Sequence, residues 1–243
     1  METGVEGRVF VDLHCHSAAS FDSLSPVSSI VRTAVQRGLT HLAITDHERL
    51  DGALEARDMA PPGLEIIVGE EVRSTDGDVI GLYLTSPVPP GLSALETVAA
   101  IHEQGGLAGI PHPFYRFRAS GLAGTANEQL ERLAAEIDYV EAFNARVPYA
   151  AANERAAAFA RSHKLAGVAA SDAHSLLEVG IAYTVLPVPI SGADDLRAAL
   201  TTASLVTGRA SFLARGMMPL VKVIQRLRGN RRIEPAGHRS ATG

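Results

Sequence analysis

The 243-residue sequence predicts a single α/β barrel. Apolar runs rich in β-branched residues alternate with segments of helical period, which implies a mainly parallel sheet. His, Asp or Glu recurs at the C-terminal ends of those runs, the rim where such a barrel gathers its chemistry. A composition of 46% hydrophobic and 20% charged residues supports one sizeable core, and no apolar run approaches the length needed to span a bilayer.

The first strand, Val9 to Val11, leads into Asp12-Leu13-His14-Cys15-His16. Strand alternation would put Asp12, His14 and His16 on one face, and Leu13 and Cys15 on the other. A small-residue loop from Ser17 to Ser25 carries Asp22, and Ser25-Pro26 opens a helix that Gly38 stops. His41 to Thr45 is the second strand and delivers Asp46 and His47. A short helix from Asp51 to Met59 ends at Pro61-Pro62-Gly63. Glu65 to Val68 is the third strand, with Glu70 and Glu71 beyond it, and the Asp76-Gly77-Asp78 turn makes Val79 to Leu84 its hairpin partner.

A helix from Ser93 to Gln104 ends at Gly105-Gly106, and the strand Leu107 to Ile110 closes on His112. Phe114 to Gly124 lacks periodicity and reads as a loop able to cover a site. Then come a helix from Asn127 to Glu136, the strand Tyr139 to Phe143 ending at Asn144, and the alanine-rich helix Ala150 to Lys164. Leu165 to Ala170 delivers Asp172 and His174; Ala182 to Leu186 and Asp194 to Leu200 are a last strand and helix.

The barrel is expected over residues 1–215, followed by a basic amphipathic tail over 216–243 that loses order from Gly229 onward. Docking on the barrel is the expected fate of the tail, ahead of an acidic partner or a membrane surface. One cysteine excludes an intramolecular disulfide, and the acidic N-terminus without an apolar core makes the cytoplasm the default. Cys15 reads as a buried small hydrophobe. A net charge of −5 argues against a long nucleic acid as partner.

Strand ends carrying imidazoles and carboxylates in this number imply a converging metal site. In order, His14-Cys15-His16, Thr45-Asp46-His47, Gly69-Glu70-Glu71, His112-Pro113 and Ser171-Asp172-Ala173-His174 resemble the polymerase-and-histidinol-phosphatase (PHP) superfamily, from about Val9 to Leu186. The resemblance implies a distorted (β/α)7 barrel with two or three divalent metals (Zn, Mn or Fe) that hydrolyses phosphoesters. It would place a first metal on His14, His16, Glu71 and Asp172. Glu71 would bridge to a second on His112, and a third would lie on Asp22, His47 and His174. Relatives add a His from the strand where this chain has Glu141 to Asn144; Glu141 is the expected substitute, with Asn144 or water as alternatives.

Asp12 is expected to orient an imidazole, and Asp46 shares that reading at the catalytic centre. Arg116, Arg118 and Arg146 follow metal-bearing strands, and Arg118 and Arg146 are the candidate phosphate clamps. The expected activity is hydrolysis of a small phosphomonoester by metal-activated water. Alternatives are a phosphodiesterase acting on short oligonucleotides, an amidohydrolase-like C–N hydrolase and a metal-binding module without turnover.

Overall fold

The computed structural model describes residues 7–115 and 127–233. Six strands run parallel around the molecule: β1 (Val9–Asp12), β2 (His41–Ile44), β3 (Glu65–Arg73), β5 (Leu107–Ile110), β6 (Tyr139–Asn144) and β7 (Ala166–Ala170). β4 (Asp78–Leu82) lies antiparallel between β3 and β5, and β8 (Tyr183–Leu186) and β9 (Ser204–Val206) extend the sheet antiparallel beyond β1. The order is β7-β6-β5-β4-β3-β2-β1-β8-β9, a nine-stranded, nearly closed barrel. The seven-strand expectation is corrected in number because the β3–β4 hairpin and the C-terminal β8–β9 pair add strands to the parallel set.

Around the barrel lie α1 (Val27–Gln36), α2 (Asp51–Met59), α3 (Ala94–Glu103), α4 (Asn127–Ala134) and α5 (Ala150–His163), followed in the chain by α6 (Ala193–Leu200), α7 (Phe212–Gly216) and α8 (Met218–Leu227). α3 starts as its sequence dictates, with a reciprocal capping box between Ser93 and Glu96. On α1, Val27, Ile30, Val31 and Ala34 are buried at helical spacing, in one apolar cluster with Leu42 and Ile44 of β2. A second apolar cluster gathers Val9, Val11, Ile67, Ile80, Leu107, Tyr139 and Val168 of the strands with Leu196 and Leu200 of α6. No helix among the described residues is long and apolar enough to cross a membrane.

The seam between β1 and β7 positions the site. Beyond the ends of these strands, Cys15 pairs with Ala173 in parallel register, and His16 N donates to the Ala173 carbonyl at 2.8 Å. Asp12 locks the same seam: its carboxylate accepts the backbone N–H groups of Ser171 (3.0 Å) and Gly180 (3.1 Å). Burial raises its carboxyl to about 6, against the pull of the Ser171 hydrogen bonds. The expectation that Asp12 orients an imidazole is therefore corrected. β1 ends at Asp12, so the predicted alternation brings together the two histidines but not the aspartate.

Three further departures have local causes. β3 does not stop at Val68 but runs through Glu70 and Glu71 to Arg73, because β4 pairs with all of that extension. β6 carries a bulge between Glu141 and Phe143, which brings Glu141 and Asn144 together although they are three residues apart. α8 is bound to the barrel through Gln225, and Asn230 and Arg232, in the stretch expected to lack order, bond to it as well. Residues 234–243 of that stretch, and 116–124 of the expected covering loop, lie outside the described residues.

Gly109 of β5 lies against the Tyr139 ring so closely that a Cβ there would overlap it. Gly109→Ala is expected to destabilise the fold by about 1–3 kcal/mol through overpacking. Thermal melts should show a smaller loss when the same change is made in a Tyr139→Ala background, since the two positions share one space.

Candidate metal centre

Glu71 is carried within β3 and the other ligand candidates by the segments that follow strands, and nearly all are shut off from solvent. His14, His16, Glu71 and Asp172 are 0% exposed, and Asp22, His47, His112 and His174 no more than 6%. Two overlapping clusters have ligand atoms within 4.8 Å of one another: His16, Asp22, His47 and His174, and His14, His16 and Asp172. Divalent metal can be coordinated by either.

Glu71 sits between them. Its Oε2 lies 3.3 Å from His14 Nε2, 3.2 Å from His16 Nε2 and 3.4 Å from His47 Nε2, while Oε1 faces His112 Nε2 at 3.5 Å. Asp172 Oδ1 stands 3.6 and 3.7 Å from the same nitrogens of His14 and His16. Asp22 Oδ2 is 3.3 Å from His47 Nε2 and 3.2 Å from His174 Nε2. A tetrahedral ion with bonds of about 2.1 Å has ligand–ligand edges of about 3.4 Å, so these separations are those of a coordination shell. The His14 and His16 Nε2 atoms are 2.9 Å apart, and Glu71 Oε1 is buried without a hydrogen-bond partner among the described residues. Two lone pairs that close and an orphaned carboxylate oxygen need a proton or a cation between them. The residues present therefore fit divalent metal.

The backbone is held to this arrangement at a cost. His112 (φ 32°) and Asp172 (φ 52°) both adopt left-handed conformations, each costing of the order of 1–3 kcal/mol for a residue with a Cβ. Burial opposes ionisation of Asp22, yet the facing His174 and His47 outweigh it and hold its carboxyl well below the usual range. For Glu71, too, burial is overcome, by His47 and His14. Burial lowers His47, but Glu71 and Asp22 more than compensate and bring it up to about 9. His174 is pushed down to about 3 by burial and by the nearby Arg146.

The surrounding residues set ring orientation. Glu141 Oε1 accepts from His14 Nδ1 at 2.6 Å, which leaves His14 Nε2 free to face the centre, and Glu141 Oε2 accepts from His112 N (2.9 Å) and Asn144 Nδ2 (2.8 Å). Both its oxygens are committed. The expectation of Glu141 as a ligand is corrected, since it stands behind His14 and orients it. Asn144 Nδ2 also donates to Asp172 Oδ2 at 3.1 Å, and His174 Nδ1 donates to the Asp172 carbonyl at 2.8 Å.

Asp46 and Arg146, expected at the catalytic centre, act at one remove. Asp46 accepts from both Ser17 N and Ser17 Oγ at 2.6 Å, tying down the start of the Asp22 loop. Arg146 pairs with Glu178 at 2.9 Å, and Glu178 in turn accepts from His174 N at 3.2 Å. Arg116 and Arg118 lie outside the described residues. Sequence reasoning missed Phe21, whose ring lies 5.0 Å from that of His47, together with Glu48, Asp78 and Arg232, which pair beside it. Arg232 is 184 residues from Glu48, and no local pattern joins them.

This centre and this barrel are those of a metal-binding hydrolase class. The chain belongs to the PHP domain family: the family's model matches residues 12–140, and a PHP-associated model matches residues 150–205. An uncharacterized protein of Methanocaldococcus jannaschii is 34% identical over 187 residues, 76% of this chain and 74% of its own length. A 5'-3' exoribonuclease of Haemophilus influenzae is 33% identical over 117 residues, 42% of each chain. Among solved structures, a two-domain protein of Bacteroides vulgatus containing a predicted PHP-like metal-dependent phosphoesterase superposes with a TM-score of 0.68 at 18% identity, over 83% of this chain and 65% of that one. Endonuclease Q, in complex with a 27-mer duplex substrate, gives a TM-score of 0.57 at 19% identity, over 80% of this chain and 57% of that one.

The last match corrects one expectation. Endonuclease Q, 57% of whose chain is covered by this fold, is complexed with a 27-mer duplex, so the expectation that ruled out a long nucleic acid does not stand. Net charge is an average over the whole surface, whereas a polyanion responds to the field around the site.

Two outcomes test the centre. Glu141→Gln should weaken metal binding about 10- to 100-fold by loosening His14, as measured by titration calorimetry; unchanged affinity would show that Glu141 does not orient a ligand. Metal bound at His47 must displace the proton held there up to about pH 9. Affinity should therefore climb about tenfold per pH unit between about 7 and 9 and level off above. Calorimetry at pH 7 in buffers of different ionisation enthalpy should read about one proton released at that site.

Proposed function

We propose that the chain hydrolyses a small phosphomonoester with two or three divalent ions of the zinc, manganese or iron type. The observation that carries the reading is Glu71, one buried carboxylate facing His14, His16 and His47 with one oxygen and His112 with the other. A carboxylate so placed can be shared between neighbouring ions, the arrangement of multi-metal phosphoester hydrolases. In this reading His14, His16, Glu71 and Asp172 hold a first ion, Glu71 and His112 a second, and Asp22, His47 and His174 a third. Bound there, such ions supply positive charge to the phosphoryl oxygens and lower the pKa of a water.

The chain's own groups do the remainder. Glu141 fixes the tautomer of His14, and the backbone carbonyl of Asp172 does the same for His174. Asp46 and Arg146 are positioning residues, acting through Ser17 and Glu178. Arg118 is the candidate phosphate clamp by its place in the sequence after His112. A second reading, phosphodiester hydrolysis on a short oligonucleotide, is favoured by the stretch shared with the 5'-3' exoribonuclease.

Chelation should reduce turnover by at least about a hundredfold, and added manganese or zinc should restore it. A panel of sugar, nucleotide and aryl phosphomonoesters set against dinucleotides and short oligonucleotides separates the two readings. Faster turnover of the diesters would replace the first by the second, and full activity after exhaustive chelation would reject both.

A further inference from the structure

The C-terminal segment meets the metal centre through a set of polar contacts, with Met218, Val221 and Ile224 half-buried along α8. On α8, Leu220, Val223 and Leu227 are 54%, 52% and 83% exposed, whereas Gln225 is 2% exposed. Apolar burial by these three therefore does not hold the helix in place. The Gln225 amide donates to the carbonyls of Ala18 (2.9 Å), Ser20 (2.8 Å) and Ser23. Asn230 Nδ2 donates to the carbonyls of Ala19 at 2.9 Å and of Ser20 at 3.2 Å. These carbonyls line the turn that carries Asp22, whose Oδ1 is held by Ser20 Oγ at 2.7 Å. A turn with several carbonyls on one side is costly to bury unless donors come from elsewhere.

Two residues on, Arg232 reaches the other wall of the same site. Its guanidinium donates to Glu48 Oε1 at 2.8 Å and to Asp78 Oδ1 at 3.0 Å, and its Nη2 is 3.3 Å from His47 Nδ1. It also lies 5.6 Å from the centroid of Phe21, the residue before Asp22. Glu48 follows His47 directly and has a left-handed backbone (φ 54°), a conformation that the Arg232 pair helps to hold.

We propose that the C-terminal segment is a strap in which Gln225, Asn230 and Arg232 are positioning residues for one metal. They hold the Asp22 turn against the His47–Glu48 corner, so that the ion on Asp22, His47 and His174 binds tightly only while the strap is seated. The inference rests on the proposed assignment of a metal to those three ligands. Coupling of this kind is reciprocal: metal in that site holds the strap down. His14 and His16 make no hydrogen bond to the strap among the described residues, so the ion they would hold should be indifferent to it.

The test uses the full chain and reads metal rather than activity. Gln225→Ala/Asn230→Ala, Arg232→Ala, Arg232→Lys and Asp22→Asn are each loaded with manganese, and bound equivalents and affinities are measured by calorimetry and elemental analysis, with circular dichroism confirming the fold. The strap variants should weaken one class of site at least tenfold and leave the others unchanged, with Arg232→Lys recovering part of the loss. Combining Asp22→Asn with the double variant should add little, since both act on the same ion. Trypsin should cleave at exposed Arg226 or Arg228 more slowly when manganese is bound to the wild type, and that protection should vanish in Asp22→Asn. Should the double variant not fold, Arg232→Ala carries the same test. Folded strap variants with wild-type equivalents and affinities would overturn the strap while leaving the metal assignment standing. Unchanged metal content in Asp22→Asn would overturn the assignment and the strap together.

Discussion

Glu71 is a carboxylate with no access to water, surrounded by imidazole nitrogens. Burying such a charge is affordable only if positive charge is buried with it, and Asp22 and Asp172 in the same pocket sharpen the demand. Protons on the histidines can meet it, as the raised His47 and the depressed Glu71 indicate, and divalent cations meet it with better geometry. Much of the surrounding structure can be understood as fixing the directions from which those nitrogens approach.

Three devices accomplish this. The seam at Cys15 and Ala173 brings the His14–His16 pair beside Asp172 and His174, although about 160 residues separate them in the chain. The β3–β4 hairpin carries β3 onward through Glu71, so this carboxylate is held by a ladder rather than by a loop. The bulge in β6 gathers Glu141 and Asn144 behind His14 and Asp172. Rigid elements thus supply ligand directions, while left-handed backbone at His112 and Asp172 supplies the last adjustment of angle.

Behind the ligands a layer of buried polar residues is nearly complete. Asp46 with Ser17, Glu141 with His14, and Arg146 with Glu178 each act on a ligand or on the loop that carries one. By sequence Glu141 reads as a ligand and Arg146 as a phosphate clamp, because a charged residue near a strand end has the same appearance whether it touches a metal or substrate or orients its neighbour. Only the direction of the side chain separates the two, and that direction depends on a bulge, a turn or an ion-pair partner far away in the chain.

The sequence by itself determined the alternation of strands and helices, the span of α3 between Ser93 and Gly105, the β3–β4 hairpin and the identity of the histidines and carboxylates that meet. These are local properties: side-chain period, cap chemistry, turn residues and donor type are written within a few positions. Tertiary structure alone decided that β8 and β9 run antiparallel, that Asp12 closes a seam and does not touch an imidazole, and that Glu141 serves His14. It also decided that Gln225, Asn230 and Arg232 grip the Asp22 turn and the corner beside His47. Each of these depends on contacts between segments tens to hundreds of residues apart, and the physical reason they escape the sequence is the same. A buried polar group must find a partner, but nothing in its own neighbourhood says which distant one will arrive.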